Sequence, residues 1–262
     1  MKRALDIALP LLVAVLVLGG WQWAVRHWQV PVYVLPAPSD IAMALADNFT
    51  SLMAALANTL LITLEGFLGA LIAALALAIL FSQSRTIERA FYPYAVILQV
   101  TPVVAIAPLI LIWVGFERIN LALALIAGVI AFFPILSSAV LGLKSADFNL
   151  IDLSRLYGAT RWQTLWKVQF PSSLPSLLTG MKVGGVIALI GEVTAEFVAG
   201  SGTATGLAWR IVESGNRLEI ATLFAALALL AFAGIAIFAA LSLLEWALLH
   251  HWHESQFNGE RR

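Results

Sequence analysis

Four glutamates stand inside long apolar runs, at Glu65, Glu192, Glu196 and Glu245. A carboxylate among apolar residues is costly, so each must pair, protonate or face a polar path. Glu192 and Glu196 are one helical turn apart and share a face. They can line a polar pathway, brace an interior network or relay protons as in a proton-coupled secondary transporter. Glu65, in Thr63-Leu-Glu-Gly66, is expected to pair with a neighbouring segment, and Glu245, near the end of its run, to reach water. His250, His251, His253 and Glu254 follow that last run. Only His250 and Glu254 share a helical face, and two ligands fall short of a metal centre, so the cluster reads as a hydrated helix end. Gly200-Ser-Gly-Thr-Ala-Thr-Gly206 has the glycines of a phosphate-binding loop, but Leu207 stands where the lysine must be, so it reads as a turn. Absence of cysteine excludes disulfides, iron–sulfur clusters and thiol catalysis. No nucleophile–base constellation can be assembled, so no catalytic residue, no metal and no cofactor is expected in this chain.

The elements that hold these glutamates are set by hydropathy. Of 262 residues, 61% are apolar and only 11% are charged, against roughly a quarter charged in soluble domains; the mean hydropathy is +0.93. Apolar runs long enough to cross a ~30 Å hydrocarbon core recur along the chain, and helices satisfy every backbone group internally. The expected fold is all-α, a polytopic transmembrane bundle with spans near 7–26, 56–81, 92–113, 120–143, 177–198 and 221–249. Pro38-Ser-Asp40 predicts a turn and a short capped interfacial helix after the first span. Trp21, Trp23 and Trp28 suit an aromatic belt. Pro102, Pro108 and Pro134 lie within expected spans and kink them, and Gly66, Gly69, Gly184, Gly185 and Gly191 allow close helix approach.

Charge placement orients the bundle, while a net charge of zero gives no reason to expect a nucleic-acid partner. With the N-terminus in the cytosol, the cytosolic segments hold Lys2, Arg3, Arg85, Arg89, Lys144, Arg155, Arg161, Lys167, Lys182, Arg261 and Arg262. The other side holds only Arg26, Arg118, Arg210 and Arg217. That positive-inside bias places both termini in the cytosol of a cell with its lipid bilayer crossed several times.

Between Lys144 and Pro175 the apolar character stops. Residues 152–159 and 162–168 have helical spacing, Gly158 breaks them, and Pro171 is expected to stop the second helix. A short helix held between membrane spans and exposed to the cytosol can transmit a push from a soluble partner.

The spacing Asp152-Leu-Ser-x-x-x-Gly158, nine residues, then Val168-x-Phe170-Pro171 resembles the EAA loop of permease subunits of ABC importers. Its pattern there is Glu-Ala-Ala, three residues, Gly, nine residues, Ile-x-Leu-Pro; Asp152, Leu153 and Ser154 depart from it. Leu35-Pro-Ala-Pro-Ser-Asp40, Thr101-Pro102 through Pro108 to Trp113-x-Gly115, Phe133-Pro134, and Ala195-Glu196 with Gly200 and Gly206 are similar to the nitrate, sulfonate, taurine and thiamine-precursor branch. The resemblance implies a type I importer permease fold, a single transmembrane domain over 1–262 with the 144–175 coupling loop inside it. It implies that Asp152, Ser154, Arg155, Leu156, Tyr157, Gly158, Ala159, Thr160, Arg161 and Pro171 couple to a separate ATPase. Two ATPase copies would hold ATP and Mg²⁺, a second and identical permease would complete the pore, and an external substrate-binding protein would deliver a small polar nutrient. By analogy and by kinking, the path through the bacterial inner membrane runs along the third to fifth spans, past Pro102, Pro108, Glu192 and Glu196.

Overall fold

The computed structural model describes residues 2–200 and 205–250, and among these every regular element is helical. The helices are α1 (Lys2–His27), α2 (Pro38–Asp47), α3 (Phe49–Gln83), α4 (Arg85–Val100), α5 (Val103–Val114), α6 (Ile119–Lys144), α7 (Phe148–Leu156), α8 (Arg161–Thr164), α9 (Phe170–Ala199), α10 (Leu207–Asn216) and α11 (Ile220–Leu249). Five helical stretches among the described residues are long and apolar enough to span a bilayer: Ala8–His27, α3, α6, Arg161–Ala199 and α11. The polytopic bundle expected from hydropathy is therefore present.

The third span differs from expectation. Instead of one helix over 92–113, α4 and α5 meet at an angle of 99°. Pro102 has no N–H for the next turn and forces the residue before it out of the helical region. Thr101 is accordingly extended, at φ −71° and ψ 127°, and Pro102 caps α5 instead of lying within a span. The Thr101 hydroxyl donates to the Ile97 carbonyl at 2.7 Å, closing the end of α4. By contrast α6 runs continuously through Pro134.

The contacts divide the chain into two compact units. One comprises 1–58 and 205–232. Within it Arg26 donates to Asp40 at 2.7 Å, and Gln22 exchanges hydrogen bonds with Ser39 at 3.1 Å, fastening α2 to α1. The interfacial helix begins as expected, with the Asp40 carboxylate accepting the Ala37 N–H at 3.2 Å. Trp23 and Trp28 are exposed, while Trp21 packs against Phe224 with ring centroids 6.1 Å apart. Helix α10 is an element that hydropathy did not predict. Glu213 bonds Arg210 and Arg217, each at 2.8 Å, on one of its faces. It ends with Leu218 at φ +60°, an uncommon left-handed conformation for a residue with a side chain.

The other unit comprises 59–204 and 233–262 and is organised by α6 and α9. Small residues set the close approaches. A Cβ added to Gly180 would lie 2.4 Å from the Ser138 Cβ, and one on Gly142 would lie 2.8 Å from the Ser173 carbonyl. On α3, Gly66 packs against Ala124 and Gly128 of α6. Gly69, expected to do the same, faces open space. Such approaches matter because lipid tails are as apolar as leucine, which leaves packing to hold membrane helices together.

Candidate functional site

The loop after α6 is built from local signals that close one another. Asp147 caps α7 by accepting the Asn149 N–H at 2.8 Å, so the first helix of the loop begins at Phe148 and not at Asp152. It ends at Leu156. The Gly158 N–H reaches the Arg155 carbonyl and the Ala159 N–H the Ser154 carbonyl, both at 2.9 Å. This double closure needs a left-handed residue between them, and Gly158 supplies it at φ +74°. Thr160 and Gln163 then form a reciprocal cap: the Gln163 N–H donates to the Thr160 hydroxyl at 3.3 Å, and the Thr160 N–H to the Gln163 side-chain oxygen at 2.8 Å. The Thr-x-x-Gln spacing is legible in the sequence.

Ser154, one of the departures from Glu-Ala-Ala, has a positive role. Its hydroxyl donates to the Ile151 carbonyl at 2.7 Å and lies 3.0 Å from the hydroxyl of buried Thr164. That contact sets α7 against α8. Leu156 and Tyr157, at the apex, are each 85% exposed. Asp152 and Arg155 pair with each other at 3.2 Å on the solvated face. Arg161 turns back toward the bundle and donates to the Gln83 carbonyl at 3.3 Å. Ala159 is half-buried beside it.

The second helix does not stop at Pro171. Residues Leu165–Gln169 widen into a π turn in which the Phe170 N–H reaches the Leu165 carbonyl, and Pro171 sits in the first turn of α9. In an α-helix its ring would strike the Lys167 carbonyl. The wider turn removes that clash, so the rod from Arg161 runs on to Ala199, and this span starts well before the expected 177.

The glutamates divide. Glu192 and Glu196 are 0% and 1% exposed on α9. Gly191, next to Glu192, and Gly66 of α3 both pack against Ala127, so Glu192 lies near the level of the α3–α6 crossing. Neither oxygen of Glu192, nor the hydroxyl of buried Thr63, has a hydrogen-bond partner among the described residues. A buried polar group in that condition costs free energy and calls for a reason. Pro102 and Pro108 are exposed, in contrast to the two buried glutamates. Glu65 is exposed instead of paired within the bundle. Glu245 does not reach out to water alone but pairs with Lys182 of α9 at 2.5 Å. Lys182 is therefore held inside the bundle, 5.9 Å from the Phe238 ring centroid, and is not a free cytosolic cation. Hydropathy could not find that pair, because the two partners are 63 residues apart in the chain.

No group of three or more metal-ligating side chains occurs among the described residues. His250 stacks on Trp246 with centroids 4.5 Å apart, whereas His251, His253 and Glu254 lie outside the described residues, as do residues 201–204 of the glycine-rich turn.

Comparison with known proteins agrees with the helical bundle. Residues 66–248 match the family described as binding-protein-dependent transport system inner membrane component. The chain is 31% identical to the formylaminopyrimidine transport permease protein ThiX of Halalkalibacterium halodurans, over 98% of this chain and all of that one. It is 35% identical to the riboflavin transport system permease protein RibX of Chloroflexus aurantiacus, over 92% of this chain and 88% of that one. Among solved structures, its fold matches a chain of the MetNI methionine ABC transporter with a TM-score of 0.64, at 20% identity, covering 76% of this chain and 97% of the other. With the family match spanning most of the bundle and relatives aligned nearly end to end, the chain belongs to the binding-protein-dependent transport permeases: it is a multi-pass translocation subunit of an ABC importer and performs no enzymatic step itself.

Proposed function

We propose that this chain, acting as one permease domain over 1–262, forms half of the path for a small heteroaromatic nutrient and is driven through its 148–169 helix pair by a separate ATPase. The observation that carries the coupling is the apex of that pair. Leu156 and Tyr157 project into solvent beside the left-handed Gly158, and two adjacent large apolar side chains held out in this way suit a groove on a soluble partner. Importers of this family work with an ATPase and a substrate-binding protein. The fuller assembly proposed is two identical permeases, two ATPase chains holding ATP and Mg²⁺, and a binding protein on the outer face. The positive-inside bias supports cytosolic termini in the bacterial inner membrane. The substrate class draws on the formylaminopyrimidine and riboflavin permeases among its relatives; sulfonate and nitrate are the other classes of the branch it resembles.

Leu156→Asp tests the coupling. It replaces an exposed apolar knob with a charge without touching the turn, so the ATPase is expected to stop co-purifying while the permease still reaches the membrane. Undiminished co-purification would remove the apex from the interface.

For translocation, the path is proposed to involve Glu192 and Glu196, with the exposed Pro102 and Pro108 on the bent third span. Glu192 is the better test because its oxygens lack partners among the described residues. Glu192→Gln keeps the shape and removes the charge. Uptake by the reconstituted complex should fall about tenfold or more if the carboxylate acts in transport. Wild-type uptake would leave Glu192 a packing residue. Uptake by vesicles that lack the ATPase, abolished by Glu192→Gln, would instead revive a proton-coupled carrier.

A further inference from the structure

Beside the coupling loop lies a cleft of about 400 Å³, lined by Ser84, Arg85, Arg155, Arg161, Thr164 and Gln169 among others. No carboxylate lines it. It opens where three membrane elements meet: the end of α3, the first turn of α4 and the rod that leads into α9. Ser84 caps α4 by accepting the Ile87 N–H at 3.4 Å, which places the positive end of a sixteen-residue helix on the rim.

We propose that this cleft holds the headgroup phosphate of an anionic phospholipid of the cytosolic leaflet. Guanidinium groups bind phosphate oxygens through paired N–H donors, and the lining arginines, Arg85 and Arg161 beside an Arg155 that also pairs with Asp152, match a phosphate better than a neutral headgroup. Basic pockets between membrane helices at the cytosolic surface are suited to anionic headgroups. Depth supports the same occupant. Trp162 and Trp166, on the rod that carries Arg161, are both exposed, and exposed tryptophans at the end of a span mark the headgroup level.

A protein partner fits the cleft less well. The loop side chains that project furthest are the apolar Leu156 and Tyr157. Arg161 turns back to the carbonyl of Gln83, 78 residues away in the chain. A lipid phosphate bridging Arg85 to Arg161 would tie the α3–α4 turn to the coupling loop, so that the leaflet's charge acts on the same element as the motor. This inference rests on the cytosolic placement of the loop, and lipid retention is read separately from ATPase binding.

The test uses the full chain, purified and exposed to an equimolar mixture of phosphatidylglycerol and phosphatidylcholine, with retained lipid counted by native mass spectrometry. The wild type should keep phosphatidylglycerol selectively. The R85Q/R161Q variant should keep it about tenfold less well, with phosphatidylcholine unchanged. An equal melting temperature in pure phosphatidylcholine would show that the variant is folded; if it is not, R85Q alone, at an exposed helix start, supplies the same comparison. Equal phosphatidylglycerol retention by wild type and variant overturns the proposal. Unchanged retention together with loss of ATPase co-purification also overturns it, and assigns the arginines to the protein partner. Stabilisation by inorganic phosphate equal to that by phosphatidylglycerol overturns it in favour of a soluble anion.

Discussion

Replacing Gly158 with valine should leave the permease in the membrane but abolish stimulation of its ATPase partner and reduce uptake to background. Gly158 sits at φ +74°, a conformation that costs an L-residue roughly 1–2 kcal/mol, and a β-branched one more. A Cβ there would meet nothing within 4 Å. The penalty is therefore conformational and not a clash, and the turn relieves it by leaving the left-handed region. Doing so breaks the two 2.9 Å closures to Arg155 and Ser154 and swings α8 relative to α7. The Ser154–Thr164 contact opposes that movement, at a strength of about 1 kcal/mol, which is too little to hold the angle alone. Gly158→Asn provides the contrast, since asparagine tolerates the left-handed region and should retain most coupling. ATPase activity of the reconstituted complex, measured with and without loaded binding protein, reads the difference. Equal coupling by the valine and asparagine variants would show that the turn geometry does not matter.

The second large effect is on assembly of the bundle. Gly66→Leu should lower stability by roughly 3 kcal/mol, enough to cut the amount of folded protein recovered from membranes severalfold. A Cβ on Gly66 would come within 2.5 Å of the Ala124 carbonyl oxygen and 3.1 Å of the Gly128 nitrogen. Both are backbone atoms, which cannot rotate aside, so the two helices must separate. Separation removes contacts that the bilayer does not replace with a hydrophobic gain. Gly69→Leu, three residues along on an open face, should be nearly silent. Thermal unfolding of the two variants in detergent checks the contrast, and equal melting temperatures would refute the crossing as the reason.

Hydropathy identified the spans because an apolar run in lipid has few structures open to it: a helix is the one that satisfies its own backbone. The loop was legible for a different reason. Its left-handed glycine acts within a few residues, so Gly158 marks the turn by its type alone, while the equally local caps at Asp147 and Thr160–Gln163 shift the first helix to an earlier start than Asp152 and fix the second. The same locality explains why α10 was overlooked. Its polar face, held by Glu213 with Arg210 and Arg217, lacks the apolar length that marks a span.

What the chain determined by itself was therefore local or cumulative: the polytopic helical bundle, the polar loop and its Gly-to-Pro spacing. Tertiary structure decided the rest. In the sequence Pro102 reads as a kink within one continuous span, and its position shows nothing of the 99° turn that α5 takes to pack Ala107 and Leu111 beside α6 and α9. In the sequence Pro171 reads as a stop, yet the π turn before it removes the clash of its ring with the preceding turn, and the helix runs on while α9 packs along α6. Lys182 and Glu245 looked like separate charges until two helices brought them together. Arg85 joined Arg155 and Arg161 around one cleft in the same way. Pairings of this kind depend on the distance between helices, which the periodicity of one segment does not encode. In lipid, that distance is set by where small residues allow backbones to touch.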